Sequence, residues 1–344
     1  FFVSLIFTNA DAMISFKEQL PDFAGRYHGG SFMTVKPPDF GGKPYRSLDY
    51  HLRNRYGEKI YKVSLDGGMT CPNRDGTLGK CGCIFCSEGG SGDFAGDRTH
   101  PVHQQIEEQK TRLSPKFPAT HFIAYFQAYT NTYAPIEHLR MIFTEAITHP
   151  DVAVLSVATR PDCLGPDVLE LLYELNQIKP VWVELGLQTI HEETAALIRR
   201  GYPLPVFDEA MEHLKAIGVE TVVHAILGLP GETPDMILDT VRYINASGAD
   251  GIKLQLLHIL KDTDLAAYYK DAGFHVLTLD EYVDLVIRCL EISRPDRVIH
   301  RLTGDGPKDL LIAPLWSQAK RQVLNTIHRE LKNRDTYQGR LYTP

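Results

Sequence analysis

The chain has 344 residues, with 36 Lys and Arg against 43 Asp and Glu, and a formal net charge of −7. Apolar residues make up 43% of it and charged residues 23%, ordinary values for a globular protein that exclude wholesale disorder. The net negative charge argues against a protein that coats nucleic acid without specificity. A negative total does not, however, exclude local basic patches. No stretch has the roughly 18 consecutive apolar residues of a membrane span.

The N-terminal segment stands apart in composition. The opening FFVSLIF has neither a basic n-region nor a small-residue cleavage site, which argues against a secretory signal. Residues 22–47 are rich in Gly, Pro and aromatic residues. Residues 1–44 are therefore interpreted as a poorly ordered leader that includes an upstream or misassigned extension, and a cytoplasmic protein is expected.

From residue 60 onward, short β-branched or apolar runs alternate with helix-like segments. Strands are predicted at 60–66, 121–126, 152–158, 181–187, 219–227 and 251–257. Helices are predicted at 101–113, 136–148, 166–176, 191–216 and 233–246. This alternation predicts an α/β fold with a parallel sheet and right-handed crossovers. Six units rather than eight indicate a partial (βα)6 TIM-like barrel over residues 45–260.

The C-terminal part, residues 261–344, is predicted to be an α/β extension. It has a helix near 278–291, a short strand at 298–302 and an amphipathic helix near 316–332. We expect this extension to close the open side of the barrel and to contact the substrate.

Four of the six cysteines fall directly after the first strand, at the sheet edge where barrel enzymes place their chemistry. Six cysteines are too few for a disulfide scaffold, so the cluster favours metal binding. Thiolates at Cys71, Cys81, Cys83 and Cys86 could hold a structural zinc, although a C-x-C pair suits zinc poorly. If Cys81 is a bystander, the other three leave one iron of a 4Fe-4S cluster open, which is the favoured interpretation. The isolated Cys163 and Cys289 are interpreted as core residues.

Several segments together resemble radical S-adenosylmethionine (SAM) proteins, in particular the YhcC/YtqA-type family related to the Elongator catalytic subunit. They are SLDGGMTCPNRDGTLG, the C-x2-C pair, YFQAYTNTYAP, SVATRPDC, VELGLQT and LGLPGET, in family order over roughly residues 45–340. Most radical SAM proteins carry C-x3-C-x2-C; the C-x11-C-x2-C found here is a trait of this subgroup. The resemblance implies that Cys71, Cys83 and Cys86 hold a 4Fe-4S cluster. It also implies that SAM chelates the fourth iron and is cleaved to a 5′-deoxyadenosyl radical.

The resemblance further implies SAM contacts at the strand ends. The expected residues are Phe85, Gln127, Ala128, Tyr129, Thr130, Arg160, Gln188, Arg200 and Gly228. Gln188 and Arg200 match a Gln–Arg pair that contacts the ribose and carboxylate of SAM in related anaerobic porphyrinogen oxidases. Ala158 stands where related enzymes carry Glu.

Several of these residues also have a structural interpretation. Gln127 and Thr130 could cap the next segment, and Gly228 could form a plain β–α turn. Arg160 either binds the SAM carboxylate or pairs with Asp162. Phe85 either packs on the adenine or shields the cluster. His224 and His258 lie at the ends of strands five and six, either for proton transfer or as hydrogen-bonded core residues.

Two basic patches oppose the acidic total. Residues 43–62 and 316–340 each carry six Lys/Arg and two acids, and they include Tyr45, Tyr50, Tyr56, Trp316 and Tyr337. This mixture suits phosphate contacts and base stacking, although a solvated helix face would explain either patch alone.

Some members of the YhcC/YtqA-type family, which this sequence resembles, are linked to modification of wobble uridine in tRNA. We therefore expect a radical SAM enzyme that acts on tRNA and takes electrons from a donor such as flavodoxin or ferredoxin. The alternatives are a radical SAM enzyme for a small metabolite and a non-catalytic RNA-binding protein with a four-cysteine zinc site.

Overall fold

The structure is a computed structural model that describes residues 38–90, 92–113, 119–304 and 306–344. Nine strands occur in the described ranges: β1 (Tyr61–Leu65), β2 (Phe122–Phe126), β3 (Val152–Thr159), β4 (Val181–Gln188), β5 (Glu220–Leu227), β6 (Gly251–Leu256), β7 (Ile259–Leu260), β8 (Val298–Arg301) and β9 (Leu311–Ala313). Seven of them form one sheet in the order β1-β2-β3-β4-β5-β6-β8, and every neighbouring pair is parallel. This curled half-barrel confirms the predicted partial TIM-like fold, with the strand predicted at 298–302 as its seventh member.

Both faces of the sheet are covered, which explains why its strands are nearly continuous apolar runs. One apolar cluster occupies the concave side and contains Leu52, Ile60, Ile123, Tyr125, Val154 and Trp182. The alternate residues of the same strands, such as Val63 and Ala124, belong to a larger cluster shared with the helices. The two-residue period of a strand therefore separates an inner layer from an outer layer.

The helices of the outer layer follow the predictions closely. They are α2 (Val102–Leu113), α3 (Ile136–Thr148), α4 (Pro166–Asn176), α5 (Glu192–Leu197), α6 (Leu204–Ala216) and α7 (Pro234–Ala246). The single helix predicted at 191–216 is wrong, because the chain breaks between α5 and α6. Arg199 and Gly201 there have φ values of 57° and 82°, in the left-handed region that a continuing helix excludes.

A helix that was not predicted, α1 (Leu48–Tyr56), connects the two edges of the open sheet. It begins at Ser47, whose hydroxyl accepts a hydrogen bond from the Tyr50 N–H, and Ser47 also forms a parallel bridge with Ile299 of β8. The chain then enters β1 at the opposite edge, and Leu52 of α1 packs into the inner apolar cluster.

The C-terminal part adds α8 (Asp264–Ala272), α9 (Leu279–Ile292) and α10 (Lys320–Asn333). Helices α9 and α10 contribute buried residues to the outer apolar cluster, as their predicted periodicity indicated. β7 and β9, which were not predicted, pair antiparallel. Most of the predicted leader, residues 1–37, lies outside the described residues, and the division at residues 44 and 260 stays a prediction. Within the described ranges, no helix combines the length and the apolar character needed to cross a membrane.

Candidate cluster and cofactor site

The carboxyl ends of the sheet strands surround one cavity. Its wall includes Tyr125 and Gln127 from β2, Thr159 from β3, Gln188 from β4, Ile226 from β5 and Arg301 from β8. The cysteine loop that follows β1 forms another part of the wall. This is the edge at which a parallel barrel gathers functional side chains.

Three of the four clustered cysteines, Cys71, Cys83 and Cys86, line this cavity. Cys81 is exposed and is not part of the lining. The structure thus brings together the three thiols assigned to the cluster and leaves out the one assigned as a bystander. The thiols of all six cysteines are free; Cys289 is buried in the core, and Cys163 is half-buried in the turn after β3.

The cysteine loop is anchored by the connection between α5 and α6. The Asn73 amide donates to the Arg199 carbonyl at 2.7 Å, and the Ile84 N–H donates to the Ile198 carbonyl at 3.3 Å. A Cβ on Gly201 would lie 2.6 Å from Asn73 Oδ1, so only glycine permits this close approach. The break in the predicted helix therefore supports the loop that carries the thiols.

The surroundings of Cys83 favour its thiolate. A hydrogen bond from Cys86 lowers the pKa of Cys83 despite burial, and the positive charges of Arg160 and Arg74 lower it further. The same hydrogen bond, together with burial, raises the pKa of Cys86. Because metal ligands must be deprotonated, this cationic environment suits thiolate ligation.

The positions of the cysteines distinguish the two metal interpretations. A tetrahedral zinc with Zn–S bonds of about 2.3 Å holds its sulfurs about 3.8 Å apart. In the described part of the chain, no three cysteine sulfurs lie within 4.8 Å of one another. The exposure of Cys81, which does not line the cavity, fits a three-thiolate cluster better than a four-cysteine zinc.

Most of the residues expected to contact SAM reach the cavity. Those that line it are Phe85, Gln127, Tyr129, Thr130, Arg160, Gln188 and Arg200. Ala128 and Gly228 are not among the lining residues: Ala128 is buried against Gly92, and Gly228 approaches the Leu277 side chain. Direct SAM contacts by any of these residues stay predictions.

Gln188 has the clearest features of a ligand-binding residue. It lies at a register shift between β4 and β5 and adopts a left-handed φ of 69°. Its Oε1 atom is buried and has no hydrogen-bond partner. An unsatisfied buried acceptor is unfavourable, and a hydroxyl or amino group of a bound ligand would satisfy it. Tyr129, also on the cavity wall, has a left-handed φ of 58°. These features fit SAM, whose ribose and amino groups are donors.

The two arginines of the expected set are already engaged. Arg160 forms a two-point ion pair with Asp162 at 2.9 and 2.7 Å, one of the two alternatives posed by the sequence. Arg200 is buried and donates to the carbonyls of Tyr202 and Thr189 and to the Glu192 carboxylate. Arg160 and Arg200 therefore hold the cavity wall together and supply positive charge. Few of their N–H groups are left to bind a ligand.

The floor of the cavity holds a buried ionic network that the sequence analysis did not identify. Glu184 of β4 is fully buried, and its carboxylate accepts from Lys62 at 2.5 Å, from Ser156 at 2.8 Å and from Lys253. Lys253 also donates to the Tyr125 hydroxyl at 3.2 Å. The available signal was a charged residue within each of three otherwise apolar strands, because such residues are rarely buried without a partner.

The network also settles the state of His224. Its Nε2–H donates to Glu184 at 2.8 Å, while Nδ1 accepts from the Gln255 amide at 3.3 Å. Burial lowers the pKa of His224 to about 4, so the ring is neutral at physiological pH. Both ring nitrogens are occupied, which makes His224 a positioning residue. His258 lines the cavity next to Gly304 and Gly306.

The charges in this network shift the pKa values of both Lys253 and Glu184. Burial, Lys62 and Arg301 lower the pKa of Lys253, although Glu184 opposes this shift. The positive charges of Lys253 and Lys62 hold the pKa of Glu184 well below its usual range despite complete burial. The carboxylate is thus ionised, and its negative charge opposes the loss of a proton from Lys253.

The two basic patches lie side by side. The Tyr45 hydroxyl is 2.9 Å from His328 Nε2 of α10, and the Arg46 N–H donates to Gln338. Tyr45 is buried and is not presented for stacking, whereas Trp316 is half-buried and its indole N–H donates to the Leu277 carbonyl at 3.1 Å.

Carboxylates neutralise much of the patch at 43–62. Arg53 pairs with Asp49, Arg55 pairs with Glu220, and Lys62 belongs to the floor of the cavity. The exposed Arg321 and Lys332 of α10 have no carboxylate partner among the described residues. Arg321 and Lys332 therefore form a basic surface on α10, whereas Arg329 of the same helix pairs with Glu330.

Comparison with known proteins agrees with the geometry. The sequence profile of the Radical SAM superfamily matches residues 71–244, and that of the Radical_SAM C-terminal domain matches residues 249–333. YtqA of Bacillus subtilis is 47% identical over 300 residues, 87% of this chain and 93% of YtqA. YhcC of Escherichia coli K12 is 35% identical over 268 residues, 78% of this chain and 85% of YhcC. The chain belongs to the radical SAM superfamily, which confirms the resemblance found in its motifs.

More distant similarities extend beyond this group. A tRNA uridine(34) acetyltransferase of Dehalococcoides mccartyi is 24% identical over 184 residues, 52% of this chain and 39% of that protein. The solved structure of Elp3 from the archaeon Methanocaldococcus infernus matches with a TM-score of 0.62 at 16% identity, covering 81% of this chain and 64% of that one. The structural match supports the partial-barrel fold.

Proposed function

We propose that this protein is a radical SAM enzyme that carries a 4Fe-4S cluster on Cys71, Cys83 and Cys86 and modifies wobble uridine in tRNA. The observation that carries the enzymatic part is the selection of thiols: three line the cavity at the carboxyl edge of the sheet, and Cys81 does not. Three protein ligands leave one iron for SAM, which is the arrangement of a reactive cluster.

When bound, the cluster and SAM supply reductive cleavage of a sulfonium and a 5′-deoxyadenosyl radical. The chain provides binding, orientation and exclusion of water. Apolar side chains of Phe85, Ile198, Ile226 and Leu257 line the cavity and shield it from solvent. Gln188 offers its unpartnered oxygen to a donor on SAM, and Lys253 lines the same cavity.

Two observations support a tRNA substrate. One distant relative is named as a tRNA uridine(34) acetyltransferase. In addition, α10 presents basic side chains near the cavity, which suits contacts to phosphates.

The proposed reaction needs one electron, which a donor such as flavodoxin or ferredoxin would supply. It also needs free thiols, which a reducing cytoplasm maintains.

The test is release of 5′-deoxyadenosine from SAM by the anaerobically reconstituted protein with dithionite, with and without tRNA. We expect release in the wild type and in Cys81→Ser, none in Cys71→Ser, and stimulation by tRNA that lacks the modification. No release by the wild type, zinc in place of iron, and loss of that metal in Cys81→Ser would instead indicate a four-cysteine zinc protein. Release that tRNA never stimulates would leave a radical SAM enzyme for a small metabolite.

A further inference from the structure

An exposed aromatic side chain stands at the mouth of the cavity without an assigned role. Phe94 is 53% exposed, although it lines the same cavity as the cluster thiols. It also lines a neighbouring groove together with Gly306, Lys308, Ser317 and Lys320. The ring and Gly306 therefore belong to the walls of both concavities, which adjoin at Phe94.

The loop that carries Phe94 is held in place on both sides of the ring. The Asp93 carboxylate accepts from the Ser87 hydroxyl at 3.2 Å, and the Ala95 N–H donates to the Gly92 carbonyl at 2.8 Å. A Cβ on Gly92 would lie 2.6 Å from the Ala128 Cβ, so this turn is packed tightly against the end of β2. Exposure of the ring is thus fixed by an ordered turn.

The groove beside Phe94 continues toward the basic surface. Gln318 and Lys320 line both this groove and a further one along α10, where Arg321 and Arg329 are found. Lys308 is exposed and has no carboxylate partner among the described residues. A path of basic side chains therefore leads from α10, past Phe94, into the cavity.

We propose that Phe94 is a stacking platform for a nucleobase adjacent to the reacting nucleotide, with the flanking phosphates held by Lys308 and Lys320. The inference rests on the proposed tRNA substrate and specifies how the RNA enters the cavity. A single-stranded loop suits this path, because its bases can leave their own stack and lie on an aromatic ring while the backbone follows a positively charged groove.

The probe is an anticodon stem-loop RNA with 2-aminopurine on one side of the wobble position. We expect Phe94→Ala to weaken binding by about fivefold or more and to abolish the change in 2-aminopurine fluorescence, because a base–aromatic stack has an effect of that size. Phe94→Trp should restore both. Tyr173→Ala, which removes another exposed aromatic side chain (49% exposed) on α4, is the matched control and should bind like the wild type.

The outcomes separate this inference from the proposed function. If the wild type binds the RNA and Phe94→Ala binds equally well, the stacking role is refuted while the tRNA substrate stands. If Phe94→Ala instead loses RNA-independent release of 5′-deoxyadenosine, Phe94 serves SAM and the inference also fails. If the wild type binds neither the stem-loop nor whole tRNA, the proposed tRNA substrate itself is refuted.

Discussion

Removal of the Glu184 charge should destabilise the protein strongly through the buried Lys253, the less exposed of its two lysine partners. Glu184 and Lys253 are both buried and are paired in the floor of the cavity. In Glu184→Gln, Lys253 loses its only carboxylate partner among the described residues and keeps the Tyr125 hydroxyl. Breaking a buried ion pair by removing one member costs about 3–5 kcal/mol of unfolding free energy. At about 2 °C per kcal/mol for a protein of this size, Tm should fall by roughly 6–10 °C.

The double variant tests the reasoning. Replacement of a buried pair by neutral groups is close to neutral in many proteins, so Glu184→Gln with Lys253→Met should be more stable than Glu184→Gln alone. The second partner, Lys62, keeps its charge in both variants, and its side chain is 21% exposed. We expect a favourable coupling of at least about 1 kcal/mol, measured by urea unfolding followed by circular dichroism. The exposed Arg140–Glu174 pair is the control, and Glu174→Gln should leave the unfolding curve unchanged. A double variant less stable than Glu184→Gln would refute the view that uncompensated charge dominates.

Three further predictions concern the site. Cys83→Ser should lose the visible absorption of the reconstituted cluster, whereas Cys81→Ser should retain it; equal losses would contradict the three-cysteine assignment. Gln188→Ala should weaken SAM binding by about fivefold in equilibrium dialysis, since one buried hydrogen bond contributes about 1 kcal/mol. An unchanged affinity would exclude the Gln188 oxygen as a SAM contact. Arg321→Glu with Lys332→Glu should weaken tRNA binding and flatten its salt dependence, as removal of phosphate contacts does. Arg55→Glu should weaken tRNA binding less, because Glu220 already pairs with this arginine. A larger effect of Arg55→Glu would indicate that the RNA binds at the 43–62 patch and not at α10.

The parallel sheet and the position of the thiols were predictable from the order of residues along the chain. Continuous apolar strands alternating with amphipathic helices permit essentially one arrangement, a parallel sheet covered on both faces. The cysteines follow β1 directly, so their position at the carboxyl edge of the sheet was predictable from local order in the chain. The same holds for Gln188, which ends β4.

Which groups face one another across the barrel depends on the folding of distant segments and could not be read from local sequence patterns. Glu184 lies 122 positions after Lys62 and 69 positions before Lys253 in the chain. Their pairing depends on the curvature of the sheet, which brings β1, β4 and β6 together. The break after α5 and the exposure of Phe94 likewise depend on contacts with distant segments. Local sequence propensity does not show which distant residues will meet. Once charged side chains are buried on the concave face of the sheet, however, each of them requires a partner.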